Sequence, residues 1–514
     1  MIAMQAPPDK PDVLQVHPLD EVLVALRDLQ PGETVRSSTQ TLTAATAVPR
    51  GHKLSRVAIS AGAVVCKYGW PIGRATRDIA PGEHVHTHNL ATALTTREDY
   101  RYSRHPAVAA PAAPATGSSA PGGPAGGRTF LGYPRRDGRV GTRNELWVLS
   151  TVGCVAHTAK RIAEIAGQRL RGRVDGVHAL THPFGCSQLG DDLLHTRRVL
   201  ASLAAHPNAG AVLVVGLGCE SNQLPALLQA ANLDPRRVRS FNAQTVGDEI
   251  EEGVRALEQL AELLQQDVRV PRPLSDLVVG LKCGGSDAFS GLTANPLVGR
   301  ISSTLALAGG TPILTEIPEI FGAERILMAR AIDASVFNAT AELVNDFKEY
   351  FTAAGQPVSE NPSPGNQAGG ITTLEEKSLG AVQKAGDAPL TQVLRYGDRV
   401  RNHGLALLEA PGNDAVSSTA LAAAGATVLL FTTGRGTPLG FPAPTLKIST
   451  TSTLAQAKPR WIDFDAGPLL AGASMDELTQ DLLELVIATA SGRPTRAELN
   501  GEREVAIWKT GVTL

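Results

Sequence analysis

Hydrophobic positions in the first hundred residues come in short runs separated by turn signals. The turns are LQPGE at 29–33, VPRGH at 48–52, ISAGA at 59–63 and IAPGE at 79–83. Short runs at this spacing are typical of strands joined by tight turns rather than of helices. The pattern therefore predicts a small all-β domain over residues 1–102.

After residue 128 the apolar runs alternate with segments of helical periodicity. LWVLST leads into AHTAKRIAEIAGQRL, and AVLVVGL precedes LPALLQAA. Such alternation predicts a large α/β body with parallel or mixed sheets covered by helices. We expect an α/β domain over 128–390 and a C-terminal α/β subdomain over 391–514. The tract at 103–127, rich in Ala, Pro, Gly and Ser, predicts a linker.

Four of the five cysteines each stand just after an apolar run, inside a glycine-rich turn. They are Cys154, Cys186, Cys219 and Cys283. Ligands of open α/β sheets bind beyond the carboxyl ends of the strands, so this repetition predicts one site for a metal or a polar substrate. The alternative is that each thiol is a small buried hydrophobic group without chemistry.

Composition narrows the classes of partner. The 514 residues carry a net charge of −2 and 4% aromatic residues, which gives no case for nucleic acid or an anionic membrane surface. We find no secretory signal and no apolar stretch near the about 18 residues that a membrane span needs. Scattered cysteines without CxxC spacing predict reduced thiols and a cytoplasmic protein. No GxGxxG or GxxxxGK[ST] motif opens a helix, so we expect no nucleotide cofactor.

Three histidines at every second position mark a candidate metal site. In an extended strand, His84, His86 and His88 would share one face, and His52 could add an imidazole from a neighbouring turn. Imidazole is a common ligand of Fe, Zn, Mn and Ni. A straight strand brings all three to one ion only with difficulty, so we favour His86 and His88, with His52 as a further ligand. The alternative is an exposed polar edge.

An arginine-rich segment follows the linker and ends in Arg143 and Asn144. Guanidinium groups bind carboxylates through two parallel hydrogen bonds, which suits an acidic small molecule. The alternative is a surface turn held by salt bridges.

Other polar side chains lie near the predicted strand ends and turns. The candidates for proton transfer are His182, Glu220, Lys282 and Asp287, and those for substrate binding are Asn295, Asn366, Thr433 and Arg435. This combination suits removal of a proton next to a carboxylate while a metal helps a hydroxyl group to leave. The developing enediolate needs cations or hydrogen-bond donors in place.

At these motifs the sequence resembles the altronate/galactarate dehydratase family along nearly the whole chain, and HVHTHN with GCSQLGDD resembles its altronate branch. The motifs include VPRGHK, GEHVHTHNL, DGRVGTRNELWVLSTVGCV, THPFGCSQLGDD, LKCGGSDAFSGLTANPLVGR, ENPSPGNQAGGITTLEEKSLG and FTTGRGTP. The resemblance implies an N-terminal β-clip domain of SAF type and dehydration of a sugar acid to a 2-keto-3-deoxy acid. For D-altronate the product would be 2-dehydro-3-deoxy-D-gluconate, in hexuronate breakdown. It also implies Fe(II), with Mn(II) as the alternative.

Residue roles follow from this resemblance as hypotheses. The histidines would hold the metal that polarises the 3-hydroxyl group, Arg143 and Asn144 would bind the carboxylate, and His182 or Lys282 would remove the C2 proton. The four strand-end cysteines would either complete a thiolate–iron site or line the pocket.

Two other functions stay open at this stage. One is a lyase that acts on a related acid, such as galactarate or a sulfonated hydroxy acid. The other is a sugar-acid binding or regulatory protein, against which the many potential bases argue. We expect a homo-oligomer only from the general frequency of symmetric assemblies.

Overall fold

The computed structural model describes residues 11–37, 40–103 and 127–514. Nearly all of the predicted linker, 103–127, lies outside the described residues. Within them the chain forms three lobes: an N-terminal lobe over residues 11–93, a middle lobe over 145–264 and a C-terminal lobe over 274–499. No helix in the described ranges combines the length and apolarity needed to cross a membrane.

The N-terminal lobe consists of short antiparallel strands. Its strands are β1 (Val13–Leu14), β2 (Val22–Ala25), β3 (Thr34–Arg36), β4 (Thr41–Thr43), β5 (Lys53–Ser55), β6 (Val64–Lys67), β7 (Trp70–Ala75), β8 (His84–Val85) and β9 (Leu90–Ala91). The pairings give the orders β1-β2-β5-β8, β3-β4 and β6-β7-β9. The predicted all-β fold of this part is confirmed.

Strands of the remaining chain belong to two parallel sheets and one small antiparallel sheet. They are β10 (Thr129–Pro134), β11 (Val140–Gly141), β12 (Glu145–Ser150), β13 (Val177–Leu180), β14 (Ala209–Gly216), β15 (Val238–Asn242), β16 (Val270–Pro273), β17 (Val278–Cys283), β18 (Thr311–Leu314), β19 (Leu390–Leu394), β20 (Leu405–Leu408), β21 (Val428–Thr433), β22 (Thr445–Ser449) and β23 (Phe464–Asp465). The antiparallel sheet has the order β11-β10-β16. The middle lobe has the parallel order β13-β12-β14-β15, and the C-terminal lobe the parallel order β19-β20-β18-β17-β21-β22-β23.

Helices cover the two parallel sheets. They are α1 (Ala156–Arg169), α2 (Gly190–Ala204), α3 (Leu224–Ala231), α4 (Glu249–Leu264), α5 (Ala294–Leu307), α6 (Glu324–Met328), α7 (Ala334–Ala353), α8 (Pro364–Ala368), α9 (Leu374–Ala381), α10 (Asp414–Ala423), α11 (Ser452–Ala457), α12 (Met475–Ala490) and α13 (Arg496–Leu499). Short 3₁₀ helices span Gly153–Val155, Pro235–Arg237, Ala243–Thr245, Leu274–Asp276, Ile317–Ile320, Val382–Ala385 and Gly467–Ala471. Because helices lie on both faces, strands such as β12 and β21 are buried along their whole length.

The hydrophobic core joins the lobes. One cluster combines Leu149 of the middle lobe with Leu408 and Phe431 of the C-terminal lobe. Another combines Ile72 of the N-terminal lobe with Leu281. Packing of this kind fixes the lobes against one another and so fixes the surfaces between them.

The division of the body differs from the predicted boundary at 390. Strands β17 and β18 precede that residue and β19 to β23 begin at or after it, yet all belong to one sheet. The change of sheet occurs instead between β15 and β17, where β16 pairs back with β10. Alternating strands and helices look the same along the chain whether they enter one sheet or two, so the pattern could not place this boundary.

Candidate active site

A polar cleft of ≈ 810 Å³ lies at the carboxyl edge of the C-terminal sheet. The chain reaches it directly after β17, after β18 through Pro318 and Glu319, and after β20 through Asp414. In open parallel sheets this edge is where ligands bind. The polar residues that line it include Ser286, Glu319, Glu360, Asn361, Ser363, Asn366, Lys377, Asn413 and Asp414.

A buried ammonium group supports the floor of this cleft. Lys282 donates to Glu316, to Asp414 Oδ1 at 2.8 Å and to its neighbour's carbonyl at 2.7 Å. Burial alone would lower the pKa of Lys282, but Asp414, Glu316 and Glu319 raise it above its usual range. The side chain is therefore a fixed cation at neutral pH.

Cys283 lies beside this ammonium group and is buried. Its Sγ accepts from Lys384 Nζ at 2.7 Å and lies 3.6 Å from Glu316 Oε2 and 3.5 Å from Glu319 Oε2. Burial, followed by the Glu316 carboxylate, raises the pKa of the Cys283 thiol to about 12. Cys283 is consequently a protonated thiol that donates toward carboxylates.

The thiol and the two glutamates are close enough to share an ion. Within the described residues, one ligand atom from each of Cys283, Glu316 and Glu319 lies within 4.8 Å of the others. However, the same cluster holds three ammonium groups against three carboxylates, those of Lys282, Lys377 and Lys384 against Glu316, Glu319 and Asp414. The formal charge is already balanced by the protein's own lysines.

Lys377 connects this cluster to the cleft. Its Nζ donates to Glu319 Oε1 at 2.9 Å, Asn361 Oδ1 at 2.9 Å and Asn366 Oδ1 at 3.3 Å. Burial would lower the pKa of Lys377, and the Glu319 carboxylate outweighs it, so the pKa is raised. Lys377 thus presents a permanent positive charge at the cleft wall.

The structure brings several predicted substrate-binding residues to the same edge, with most of their polar atoms in use. Asn366 donates to the Ser286 carbonyl at 2.8 Å, and Asn295 bridges the Gly380 carbonyl and Thr432. Thr433 accepts from the Gly436 amide at 2.8 Å. These side chains hold the turns that shape the cleft.

Asp287 and Arg435 occupy the turns around that edge in different ways. Asp287 is half-buried, accepts from Thr450 Oγ1 at 3.1 Å, and has its pKa raised by burial. Arg435 is exposed and donates to the Gly365 carbonyl at 3.2 Å. Of the two, Arg435 retains guanidinium nitrogens that face solvent.

The histidines form a cluster where the N-terminal lobe meets α8. His52 Nδ1 lies 3.0 Å from His84 Nε2, and the ring centres of His52 and His86 are 4.9 Å apart. His86 Nε2 lies 3.1 Å from the Gln367 carbonyl oxygen, and the ring of His88 lies 5.3 Å from that of His84. The straight strand expected over 84–88 is not observed: β8 ends at Val85 and a turn follows, because Asn89 caps it through the His86 amide.

Burial keeps the imidazoles of His52, His84 and His86 neutral. It is the largest cause that lowers the pKa of His84 to about 3 and that of His86 to about 4, and it lowers the pKa of His52 as well. A neutral imidazole has a free lone pair, which a metal ion needs. Within the described residues, no three of these histidines bring one ring nitrogen each within 4.8 Å of the others.

Arg143 and Asn144 lie at the opposite, amino end of β12. Arg143 is buried and donates to both carboxylate oxygens of Glu498 at 2.8 and 3.0 Å. The Asn144 amide group bonds with Arg135 at 2.9 Å and with the Leu264 carbonyl at 3.2 Å. Both residues are engaged within the protein, at the amino end of a middle-lobe strand, and neither lines the cleft at the C-terminal sheet.

The middle lobe carries the remaining candidates at its own carboxyl edge. His182 donates through Nε2 to the Ser150 carbonyl at 3.0 Å while Nδ1 accepts from the Phe184 amide at 3.1 Å, and burial lowers the pKa of His182 to about 4. Glu220 accepts from the Gly218 amide and from Thr151. Cys154, Cys186 and Cys219 are exposed here, whereas Cys283 lies in the other sheet, so the four strand-end cysteines divide into two places.

Sequence reasoning missed the charged residues around Lys282. Glu316 and Glu319 come directly after an apolar strand in TPILTEIPEI, and Asp414 follows LALLEA, so the rule applied to the cysteines would have found them. Lys377 and Lys384 belong to helical turns, and only the fold brings them to this edge.

A polar cleft at strand ends, with a small β lobe docked beside it, defines the protein as a multi-lobed α/β enzyme for small polar molecules. Successive parts match the families described as Altronate/galactarate dehydratase SAF domain (residues 11–93), D-galactarate dehydratase/Altronate hydrolase, second domain (132–265) and D-galactarate/Altronate dehydratase, C-terminal (274–513). The chain belongs to the altronate/galactarate dehydratase family, as its motifs predicted.

Relatives share this organisation over their whole length. The chain is 49% identical to altronate dehydratase of Escherichia coli (strain K12) over 508 residues, which cover 98% of this chain and 99% of the relative. It is 47% identical to altronate dehydratase of Bacillus subtilis (strain 168) over 507 residues, with the same two coverages. Galactarate dehydratase (L-threo-forming) of Escherichia coli (strain K12) is 33% identical over 509 residues, 93% of each chain.

Proposed function

We propose that this protein dehydrates D-altronate to 2-dehydro-3-deoxy-D-gluconate and water. The observation that carries the proposal is the cleft at the carboxyl edge of the C-terminal sheet, where carboxylates and fixed ammonium groups lie side by side. Proton removal next to a carboxylate needs a base and a nearby cation. Two relatives at nearly half identity, aligned over nearly their whole length, are altronate dehydratases.

Asp414 is the residue we assign as the base. Its carboxylate lines the cleft, is 32% exposed, and is held by Lys282 at 2.8 Å. In the reaction the C2–H bond breaks and its proton passes to Asp414, while the electron pair forms the C2–C3 double bond. The C3 hydroxyl group takes up a proton and leaves as water, and the resulting enol tautomerises to the 2-keto acid. Lys282, whose pKa is raised, acts as the cation that positions Asp414 rather than as a base.

We assign binding of the substrate carboxylate to one cation that lines the cleft and one that lies close to it. Lys377 lines the cleft and carries a permanent charge, and the exposed guanidinium of Arg435 lies beside α8. As the C2 proton leaves, negative charge moves onto the substrate carboxylate, so the same cations stabilise the transition state more than the ground state.

We assign the metal ion to the histidine cluster on grounds of charge, although the ligand atoms around Cys283 lie closer together. In the cluster around Cys283, an added dication would face three lysine ammonium groups that already balance the carboxylates. In the histidine cluster, His52, His84 and His86 are neutral, and the ammonium group that acts on them, that of Lys53, is paired with Glu376. Imidazole suits Fe(II) and Mn(II). We therefore assign His52, His86 and His88, together with His84, to hold Fe(II), or Mn(II) in its place. When bound, the ion would act as a Lewis acid toward a substrate oxygen.

The proposal also covers the cellular compartment, the pathway and the assembly of the enzyme. All five cysteines are free thiols, which supports a reducing compartment such as the cytoplasm. With D-altronate as its substrate, the enzyme would act in hexuronate breakdown, and a homo-oligomer is the assembly that we expect.

Turnover is tested with metal-stripped protein under anaerobic conditions. D-altronate, galactarate and a sulfonated hydroxy acid are offered in turn with Fe(II), Mn(II) or Mg(II), and 2-keto acid is measured. We expect product from D-altronate with Fe(II) or Mn(II). Turnover of galactarate alone would replace the substrate, and binding without turnover of any acid would make the protein a binding protein.

The role of Asp414 is tested by Asp414→Asn. We expect kcat to fall by at least about 10²-fold, the usual contribution of a general base. Exchange of the C2 hydrogen with solvent deuterium should be lost as well, since it reports proton removal alone. Asp481→Asn, at an exposed position, is the matched control. Exchange that persists in Asp414→Asn would assign the base elsewhere.

Metal content tests the histidine assignment. His86→Ala should lower both bound iron and kcat, and His157→Ala, at an exposed position of the middle lobe, should change neither. Unchanged iron content in His86→Ala would remove His86 from the ligand set.

A further inference from the structure

Three cysteines occupy equivalent positions at the carboxyl edge of the middle-lobe sheet. Cys154, Cys186 and Cys219 each directly follow a glycine, and each lies a few residues beyond the end of β12, β13 or β14. These three strands are neighbours in the order β13-β12-β14 and run parallel. The topology therefore gathers three thiols at one edge, around the central strand β12.

Backbone hydrogen bonds tie the three thiol-bearing loops together. The Gly153 amide donates to the Phe184 carbonyl at 2.8 Å, so the residues just before Cys154 and Cys186 are linked. The Asn222 amide donates to the Gly185 carbonyl at 2.9 Å, which links the Cys219 loop to the Cys186 loop. The Asn222 side chain also donates to the Thr151 carbonyl at 3.1 Å. The three loops are therefore held together by hydrogen bonds and form one unit rather than three independent turns.

Glycine is needed where these loops touch. Gly185 has φ of 100°, and a Cβ there would overlap the Thr151 carbonyl oxygen. A Cβ on Gly153 would lie 2.8 Å from the Pro183 carbonyl oxygen. The glycine before each of these two cysteines therefore allows the backbones to approach closely.

Two polar side chains that the sequence suggested for proton transfer instead form hydrogen bonds that hold the loops at this edge of the sheet. His182 joins the Cys186 loop to the end of β12 through Ser150, and Glu220 binds its own loop amides and Thr151. They are positioning residues for the thiols. Buried oxygens at the same strand ends, Ser150 Oγ and Asn242 Oδ1, have no hydrogen-bond partner in the described structure.

The thiols themselves are available. All three are free and exposed, in contrast to the buried Cys283. The Gln244 side-chain amide lies 3.6 Å from Cys219 Sγ and donates toward it. Exposed thiols on rigid loops are suited to a thiophilic metal centre rather than to hydrophobic packing.

We propose that Cys154, Cys186 and Cys219 bind an iron–sulfur cluster at the carboxyl edge of the middle lobe. A single tetrahedral ion with metal–sulfur bonds of about 2.3 Å would need three sulfur atoms about 3.8 Å apart. The three thiols do not form a set within 4.8 Å, and a cluster accepts wider spacing because each thiolate binds a different iron. Three protein thiolates leave one iron of a four-iron cluster open to an oxygen ligand. This centre is additional to the proposed chemistry at Asp414.

The test is anaerobic reconstitution of the full chain with Fe(II) and sulfide. We expect a broad visible absorbance, with iron and acid-labile sulfide in near-equal amounts bound per chain. Cys154→Ser, Cys186→Ser and Cys219→Ser should each lower bound iron and sulfide by about tenfold or more. Cys66→Ser, in the N-terminal lobe, should bind as the wild type does. Wild-type levels in the three variants, or zinc bound without sulfide, would overturn the proposal.

A second measurement does not depend on how the variants fold. In the reconstituted wild type, the three thiols should be protected from alkylation, while Cys66 should react equally with and without the cluster. Equal alkylation of all sites in both states would also overturn the proposal. Absence of a cluster in a protein that still turns over D-altronate would leave the dehydratase function intact, so the two failures are distinguishable.

Discussion

At the scale of single residues, Arg143 illustrates why a charge motif does not identify its partner. The segment that ends in Arg143 is rich in arginine, whose guanidinium group is suited to bind a substrate carboxylate. In the structure, however, the Arg143 guanidinium binds Glu498 and the Thr489 carbonyl. It does so because it lies at the amino end of β12 in the middle lobe, whereas the cleft lies at the carboxyl edge of the C-terminal sheet. The sequence shows the donor but not the strand end at which it lies.

Replacement of Arg143 by lysine separates these two roles. The ammonium cannot reproduce the paired bonds to Glu498, so we expect a loss of about 1.5–3 kcal/mol in the free energy of unfolding. The KM for D-altronate should be unchanged. Urea unfolding and steady-state kinetics measure the two effects, with Arg171→Lys as an exposed control. A raised KM with unchanged stability would restore Arg143 as a substrate ligand.

At the scale of elements, α10 links helix formation to the site. Asn413 caps its first turn by accepting from the Ala415 and Val416 amides, each at 3.1 Å, and Asp414 is the next residue. The cap therefore sets the direction in which the proposed base enters the cleft.

A pair of caps makes this testable. Asp248 caps α4 in the same manner, through the Ile250 and Glu251 amides, in the middle lobe. Asn413→Ala and Asp248→Ala should each cost about 1 kcal/mol of stability. Only Asn413→Ala should lower kcat, because only that helix carries Asp414. Equal kcat in both variants would show that the cap does not position the base.

Strands and turns were predictable where the residues next to them in the sequence determine the structure. The strand ends that carry Cys154, Cys186 and Cys219 follow from apolar runs bounded by glycine. The turn after Val85 was not predicted, because it depends on Asn89 closing back onto His86. Lys384 reaches Cys283 only through tertiary packing, for which periodicity contains no information.

At the scale of the whole molecule, buried ion pairs dock the N-terminal lobe onto the body. Glu376 on α9 binds Lys53 and Lys67, each at 2.8 Å, and Thr373 donates to the Ile72 carbonyl at 2.6 Å. Burial would raise the pKa of Glu376, but the two ammonium groups lower it to about 2 from 4.5. A carboxylate with a depressed pKa stabilises the docked state above its ordinary pKa and loses that effect as pH falls.

Glu376→Gln should reveal this dependence. At neutral pH the variant leaves two buried ammonium groups without a carboxylate, at a cost of about 3–5 kcal/mol. The difference in Tm from the wild type should be full above pH 5 and should shrink between about pH 4.5 and pH 2. Both lysines are protonated throughout that range, so the change belongs to Glu376. Glu262→Gln, which is exposed, serves as control, and a difference independent of pH would contradict the assignment.

The fold class of each part of the molecule was predictable, but the order of the strands within the sheets was not. The all-β start and the α/β remainder follow from the spacing of apolar runs. The order in which β19 and β20 enter a sheet with β17 and β18 does not, since strand order depends on crossovers that leave no local pattern.

The pairing of Lys53 and Lys67 with Glu376 bears on whether the protein can be produced as two polypeptides that then associate. The charges buried between the N-terminal lobe and the body pair with one another, and this pairing does not require a covalent connection between the lobes. A linker of the kind that the composition of 103–127 predicts would then mainly raise the effective concentration of one lobe near the other. Two separately produced polypeptides, divided within that segment, would reassemble into the same enzyme at sufficient concentration. The histidine cluster would form again at the regained contact, so the activity of such a mixture would depend on dilution.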